Sequence, residues 1–237
     1  MKLLVCIPVI YSAEVFRECL TQYINIPNVD VFIWQNGAEP DVKKVCDEFR
    51  RDHGFKVRYN KVNDYVNPTW NEFIRYFLDS DYDYLCIANS DLTLQNSWAT
   101  TLKARWKKYP DDILIPKITD DKTLMYKPVM MCSQETLYPT EGTAGVFITL
   151  NKKQAAAVYP IEPPQMLVWF GDNFLYGILR SIGYRTVILD NFIAYHHTST
   201  SVQRVEGISA IIENDKDIWN EVGQYAMQDR INKLKQK

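Results

Sequence analysis

The chain has 237 residues, with 27 Lys and Arg against 29 Asp and Glu for a formal charge of −2; 46% of its residues are hydrophobic and 24% charged. That composition excludes a disordered chain, and the length supports an apolar core that needs no disulfide or metal staple. A near-neutral balance also argues against a dedicated polyanion coat, because affinity for nucleic acid is mostly phosphate neutralisation by clustered Lys and Arg. In chain order, Lys2 to Val9 is short, β-branched and apolar throughout, the pattern of a strand covered on both faces. Ser12 is placed to cap a following helix in which Val15, Phe16, Cys19, Leu20 and Tyr23 recur at helical spacing.

A second strand, Val29 to Trp34, ends at the turn Gln35-Asn36-Gly37 and leads into a Pro-initiated helix burying Val42, Val45, Cys46 and Phe49. Phe55 to Tyr59 alternates as a third strand. Asn67-Pro68 then opens a helix with Trp70, Phe73, Ile74, Phe77 and Leu78 on one face. Tyr82 to Ala88 is the fourth strand. Three strand-helix units followed by a strand predict an α/β fold with a mainly parallel sheet, since parallel strands need crossover helices. A helix over Ser97 to Lys108 and a strand over Asp112 to Ile118 follow, and residues 119 to 142 read as irregular. Then come a strand near Gly145 to Leu150, a helix near Lys152 to Tyr159, a Pro-rich break and a helix from Asp172 to Ile182. Strand-like segments at Thr186 to Leu189 and Phe192 to Tyr195 precede a polar stretch and a terminal amphipathic helix.

Five widely spaced cysteines without a C-x-x-C pair read as reduced thiols, hence a cytoplasmic expectation. Pro8 interrupts the apolar start and Glu14 and Arg17 follow at once, so it reads as a strand rather than a signal peptide. No segment approaches the ~20 apolar residues needed to span a bilayer.

Several frequent sites are excluded by missing spacings. There is no G-x-x-x-x-G-K-[ST] loop, no G-x-G-x-x-G fingerprint, no G-x-S-x-G elbow and no H-E-x-x-H pair. Open parallel sheets bind ligands at the carboxyl ends of their strands. Those positions hold Gln35-Asn36-Gly37, Asn60 to Asp64 and Asn89-Ser90-Asp91, which should face one crevice. Uncharged amides with a single carboxylate suit a nucleoside diphosphate, Asp91 holding a hard divalent cation; each group taken alone also reads as a turn former.

In order and spacing, these segments resemble a family 2-type glycosyltransferase of the GT-A fold over residues 2 to 202. The resemblance rests on the first strand, Trp34-Gln35-Asn36-Gly37, the Asn60 to Asn71 segment and Tyr84-Leu85-Cys86-Ile87-Ala88-Asn89-Ser90-Asp91. It implies a Rossmann-like, mainly parallel sheet flanked by helices, with a small antiparallel acceptor-side extension. It divides one continuous domain into a donor-binding half (1–118), an acceptor and catalytic half (119–202) and a helical tail (203–237). Donor contacts are implied for Pro8, Gln35, Asn36, Gly37, Asn63, Asn71, Asn89 and Ser90. Asn89-Ser90-Asp91 would be a variant of the D-x-D-type motif that binds Mn²⁺ or Mg²⁺, with Asn89 in place of its first acid. His196 and His197, past the last strand, would complete the metal site or touch the diphosphate, His196 being the favoured one.

The second half is similar as well. Gly142-Thr143-Ala144-Gly145-Val146-Phe147-Ile148 resembles the small-residue strand at the sugar and acceptor pocket, and Trp169-Phe170-Gly171-Asp172 the acidic motif opening the acceptor-side helix. Asp172 would be the general base, with Gly145, Trp169 and Gly171 at the sugar or acceptor. The implied function is metal-dependent, inverting transfer of a hexosyl or pentosyl group from a nucleotide-diphosphate sugar, a UDP-sugar above all, to a hydroxyl. The acceptor ranges from a glycan to a hydroxymethylated base in viral DNA. The basic runs Lys103 to Lys108 and Arg230 to Lys237 would either approach phosphates or be solvated helix faces. Two alternatives remain: a non-catalytic nucleotide-sugar-binding module, suggested by Asn89 and Gly171 where acids are expected, and a nucleotidyltransferase, which would need a basic Gly-rich loop after the first strand.

Overall fold

A computed structural model describes residues 1–37, 39–119, 121–126, 135–137, 145–197 and 204–236. The elements are β1 (Leu3–Val9), α1 (Ala13–Thr21), β2 (Val29–Asn36), α2 (Pro40–His53), β3 (Lys56–Asn60), α3 (Val66–Leu78), β4 (Tyr84–Ala88), β5 (Leu92–Leu94), α4 (Trp98–Lys108), β6 (Ile113–Thr119), a 3₁₀ turn (Lys122–Tyr126) and β7 (Glu135–Leu137). They continue with β8 (Phe147–Asn151), α5 (Lys152–Val158), α6 (Gly171–Ser181), β9 (Thr186–His196), α7 (Ile208–Ile218), a π-helical turn (Trp219–Gly223) and α8 (Gln224–Lys235). The main sheet has the order β3-β2-β1-β4-β8, parallel except for β8, which runs antiparallel to β4. A second sheet has β9 at its centre, parallel to β6 and antiparallel to β5 and β7. This is the mainly parallel α/β architecture, with antiparallel additions, that the sequence predicts.

β1 shows why the sheet is central. Leu3, Val5, Ile7 and Val9 enter the apolar cluster shared with α1, α2 and α4, while Leu4 and Cys6 enter the opposite one, shared with α3, α5 and α6. A period of two with both faces apolar requires helices on both sides. The terminal helices join the second cluster through Ile231, with Ile218 and Trp219 packed against it.

Three local expectations are corrected. Ser12 stands at the N-cap of α1 with φ +67 and makes no side-chain cap bond, because capping requires extended backbone there. The two strand-like segments after residue 185 are one strand. Its register against β6 shifts between Pro116 and Lys117, where residues 190–192 of β9 are passed over, and that irregularity interrupts the sequence pattern. Residues 119 to 142 are not wholly irregular, since they contain the 3₁₀ turn and β7.

Cys6, Cys19, Cys46 and Cys86 are buried free thiols, and Cys132 lies outside the described residues. Among the described residues no helix is long and apolar enough to cross a membrane. The basic runs are partly consumed inside the fold. Arg105 is buried against Asp112 at 2.6 Å, Lys103 donates to Pro27 O, and Arg230 reaches Glu162 and Tyr159 O.

Candidate active site

The chain moves outward from β1 to β2 to β3 and then returns to β4 on the other side of β1. The strand order therefore reverses between β1 and β4, and a crevice opens at their carboxyl ends. A cleft of about 180 Å³ lies there. Pro8, Val9 and Ile10 from the end of β1 and Asn89, Ser90 and Asp91 from the end of β4 form its floor. Asn36, Asn63, Tyr65 and Val66 wall one side, and Val168, His196, Val205 and Ile208 another.

Asn36 organises the wall that follows β3. Its Oδ1 accepts from Asp64 N at 2.7 Å, and its Nδ2 donates to Tyr65 O and Thr69 Oγ1 at 3.3 Å each. Gly37, at φ +67, lets this loop close on the end of β2: a Cβ there would sit 2.8 Å from the carbonyl carbon of Val62. Asn63 lines the cleft, and its Oδ1 accepts from Tyr65 N. Gln35 is buried in β2 beside Asn36 and is not among the lining residues. Asn71 is also outside the cleft, because both ends of its amide bond the backbone of Ile161 and hold that loop against α3.

Asp91 is buried, and its Oδ1 lies 3.2 Å from His196 Nε2. The short β5–β9 pairing sets this geometry by placing His196 opposite Leu92. His197 points elsewhere. Its N–H donates to Asp91 O, its Nε2 lies 3.3 Å from Thr93 Oγ1, and burial lowers the pKa of its imidazole. Of the two histidines, His196 lines the cleft. Among the described residues no three His, Cys, Asp or Glu side chains converge. The donor set therefore does not fit a cation held by protein alone. One carboxylate and one imidazole do fit a cation that completes its shell with diphosphate oxygens and water.

Asp172 is not among the residues that line the cleft; one backbone and one backbone-to-carboxylate hydrogen bond link it to the end of β4. Asn89 N donates to Val146 O at 2.9 Å, and the neighbouring Gly145 N donates to Asp172 Oδ2 at 3.0 Å. Asp172 Oδ1 accepts from Asn173 N at the first turn of α6. Burial pushes the Asp172 carboxyl above its ordinary range, against the pull of the Asn173 and Gly145 N–H groups. A Cβ on Gly145 would meet Trp70 Cη2 at 2.6 Å and Asp172 Cβ at 3.1 Å, so glycine lets the turn that enters β8 come this close to α6. Gly142, Thr143 and Ala144 lie outside the described residues.

Gly171 has a packing reason for being no acid. A Cβ there would fall 2.1 Å from Oδ1 of buried Asn67, whose Nδ2 donates to Met166 O and Trp169 O. Gly171→Ala should cost about 1–3 kcal/mol through overpacking, read as a lower melting temperature; unchanged melting would refute this close approach. Trp169, just before, is 50% exposed.

Sequence reasoning missed Asp215. This carboxylate on α7 is fully buried and accepts three backbone N–H groups, from Leu167 at 2.9 Å, Val168 at 2.7 Å and Trp169 at 2.9 Å. It ties the C-terminal helices to the loop that enters α6. The available signal was an acid on an apolar stripe, with Ile208, Ile211, Ile212, Ile218 and Trp219 at helical spacing around it.

Solved structures share this fold. S. aureus TarS 1-349 superposes with a TM-score of 0.64 at 14% identity, covering 83% of this chain and 60% of that one. The same protein in complex with UDP-GlcNAc gives 0.65 at 12% identity, covering 98% and 70%. GalNAc-T7 with UDP, GalNAc and Mn²⁺ gives 0.64 at 11% identity, covering 82% of this chain and 43% of that one. The chain thus spans less than two thirds of the length of several of these proteins. No curated protein sequence matches it. The profile of glycosyl transferase family 2 matches residues 4–133, more than half of the chain, which therefore belongs to that family.

Proposed function

We propose that the protein transfers a sugar from a nucleotide-diphosphate donor, a UDP-sugar, to a hydroxyl acceptor with inversion at the anomeric carbon. The observation that carries this reading is the meeting of Asn36, Asn63, Asn89, Asp91 and His196 in one cleft at the β1/β4 reversal. Residues 1–118 would supply most of the donor side and 119–202 the acceptor side. The solved structures of similar fold that hold UDP, UDP-GlcNAc or Mn²⁺ support the choice of donor and cation.

Asp91 and His196 would hold Mn²⁺ or Mg²⁺, which when bound supplies positive charge to the leaving diphosphate. Pro8 and the Asn89-Ser90 backbone, at the floor of the cleft, would orient the donor, with Asn36 and Asn63 presenting polar edges to the nucleoside. Asp172 would accept the acceptor hydroxyl proton as that oxygen attacks the anomeric carbon. The carbon–oxygen bond to the diphosphate then breaks, and its electron pair leaves with the nucleotide. Attack from the opposite face with a single base inverts the centre. A raised carboxyl pKa suits this role, because a stronger base takes the proton more readily.

Asp91→Ala should weaken nucleotide-sugar binding in Mn²⁺ by at least about tenfold and abolish the difference between binding with and without metal. Calorimetry in the two conditions reads both effects. A variant that keeps the full metal dependence would remove Asp91 from the site. The reading as a binding module that has lost an acid is weakened at Gly171, where a larger side chain would have to displace the buried Asn67 amide.

A further inference from the structure

A row of aromatic rings runs from the Asp172 helix onto the C-terminal helices. The Trp169 ring lies 6.4 Å from Phe170, and Phe170 stacks on Trp219 at 5.5 Å with the planes 7° apart. This row is built from both sides. Phe170 has φ +63, a left-handed conformation that a bulky residue adopts only where its surroundings impose it and that clusters at functional sites. Trp219 opens the π-helical turn, with Gln224 N–H donating to Trp219 O; such turns are rare and concentrate at functional sites. Gly223 closes that turn against the indole, since a Cβ there would stand 2.7 Å from Trp219 Cε3 and 3.3 Å from Met166 Sδ. Asp215, one turn before Trp219, fixes the backbone of Trp169.

The charge around the row narrows what it can take. Over residues 206–223 the exposed charges are Glu206, Glu213, Asp217 and Glu221 against the single cation Lys216, Asp215 being buried beneath them. Phosphates of nucleic acid and anionic lipid headgroups are repelled by such a surface. Neutral pyranose rings are not, and their C–H faces pack on aromatic faces: Trp169 offers a half-exposed ring, and Phe170 and Trp219, partly buried against the core, offer what their mutual stacking leaves open.

We propose that Trp169, Phe170 and Trp219 form an extended acceptor subsite for a neutral saccharide chain, holding sugar units beyond the one whose hydroxyl reacts. This rests on the transfer reading in one respect, namely that Asp172 marks where the reacting hydroxyl sits. The C-terminal helices thereby become part of acceptor selection, although the family profile ends at residue 133.

The test is NMR of the tryptophan indole N–H signals of the full chain, titrated separately with maltohexaose, cellohexaose, chitohexaose, a short DNA duplex and phosphatidylglycerol vesicles. At least one neutral oligosaccharide should shift the Trp169 and Trp219 signals. Trp169→Ala, at an exposed ring, and Trp219→Phe, which keeps a ring on Phe170, should each weaken that binding by about 2- to 10-fold. Nucleotide-sugar binding should be unchanged in Trp219→Phe. Oligosaccharides that move neither signal, variants that bind them like the wild type, or shifts caused only by DNA, by vesicles or by self-association would each overturn the proposal. Saccharide binding by a chain that binds no nucleotide sugar would uphold the subsite and count against the transfer reading instead.

Discussion

Asp172→Asn should lower the transfer rate by about 100- to 10,000-fold while leaving nucleotide-sugar affinity close to that of the wild type, because it removes proton acceptance and little else. The substitution preserves shape. The amide oxygen can still accept from Gly145 N or Asn173 N, so the contact between the turn that enters β8 and α6 survives, and the melting temperature should change little compared with the rate. The pH profile provides a second readout. As the proposed base Asp172 would work only when ionised, and burial raises its pKa, so the rate should fall with acidification from a pH above the ordinary aspartate value of about 3.9. The same shift sets the sign for stability. The folded protein binds this proton more tightly than the unfolded chain, so Asp172 contributes stability below its unfolded pKa and loses that contribution as pH rises through its folded pKa. An Asn variant with wild-type turnover, or an acid limb unchanged by the substitution, would remove Asp172 from the proton transfer.

Asp215→Ala should be the most damaging single change to the fold around the site. Three part-buried backbone N–H groups lose the fully buried carboxylate they share, and leaving each such donor unmade costs about 1–3 kcal/mol where water cannot replace it. Asp215→Asn keeps the volume but offers one oxygen and turns an NH₂ toward donors, so it should recover only part of the loss. The effect should be localised. The Leu167–Trp169 backbone loses its tether, so hydrogen exchange there should accelerate more than in β1, whose amides lie in the ladder between β2 and β4. Uniform acceleration across the sheet, or no change in melting, would show that Asp215 is not a specific anchor.

What could be read from the sequence divides along a physical line. The two-faced apolar run of β1, the α3 stripe from Trp70 to Leu78 and the polar residues ending β2 and β4 follow local periodicities, and the structure has these elements with ends shifted by a residue or two. The reversal between β1 and β4 that opens the cleft is a matter of strand order, which local periodicity does not set. Contacts between distant segments were not legible. Asn71 is implied as a donor contact by the resemblance of the Asn60 to Asn71 segment, while in the structure Ile161, 90 residues away, takes both ends of its amide. Gly171 looked like a lost acid because the steric demand of Asn67 is invisible until α3 and α6 are packed. Asp215 carried a faint local signal as a carboxylate on an apolar stripe, but its three amide partners lie 46 to 48 residues upstream. The pair His196-His197 was legible as a strand end; only the pairing of β5 with β9 separates the two rings.

The reading of the cleft as a metal-assisted nucleotide-sugar site is tested most directly by thermal stabilisation of the full chain with a panel of nucleotide sugars, each with and without Mn²⁺. A ligand that binds only the folded state must raise its apparent stability, by about 2.7 kcal/mol at a hundred times Kd. At least one UDP-sugar should raise the melting temperature, more strongly with Mn²⁺ than without, and Asp91→Ala should erase that difference. A panel in which no nucleotide sugar stabilises the chain, or in which stabilisation is the same with and without Mn²⁺ and survives Asp91→Ala, would contradict it.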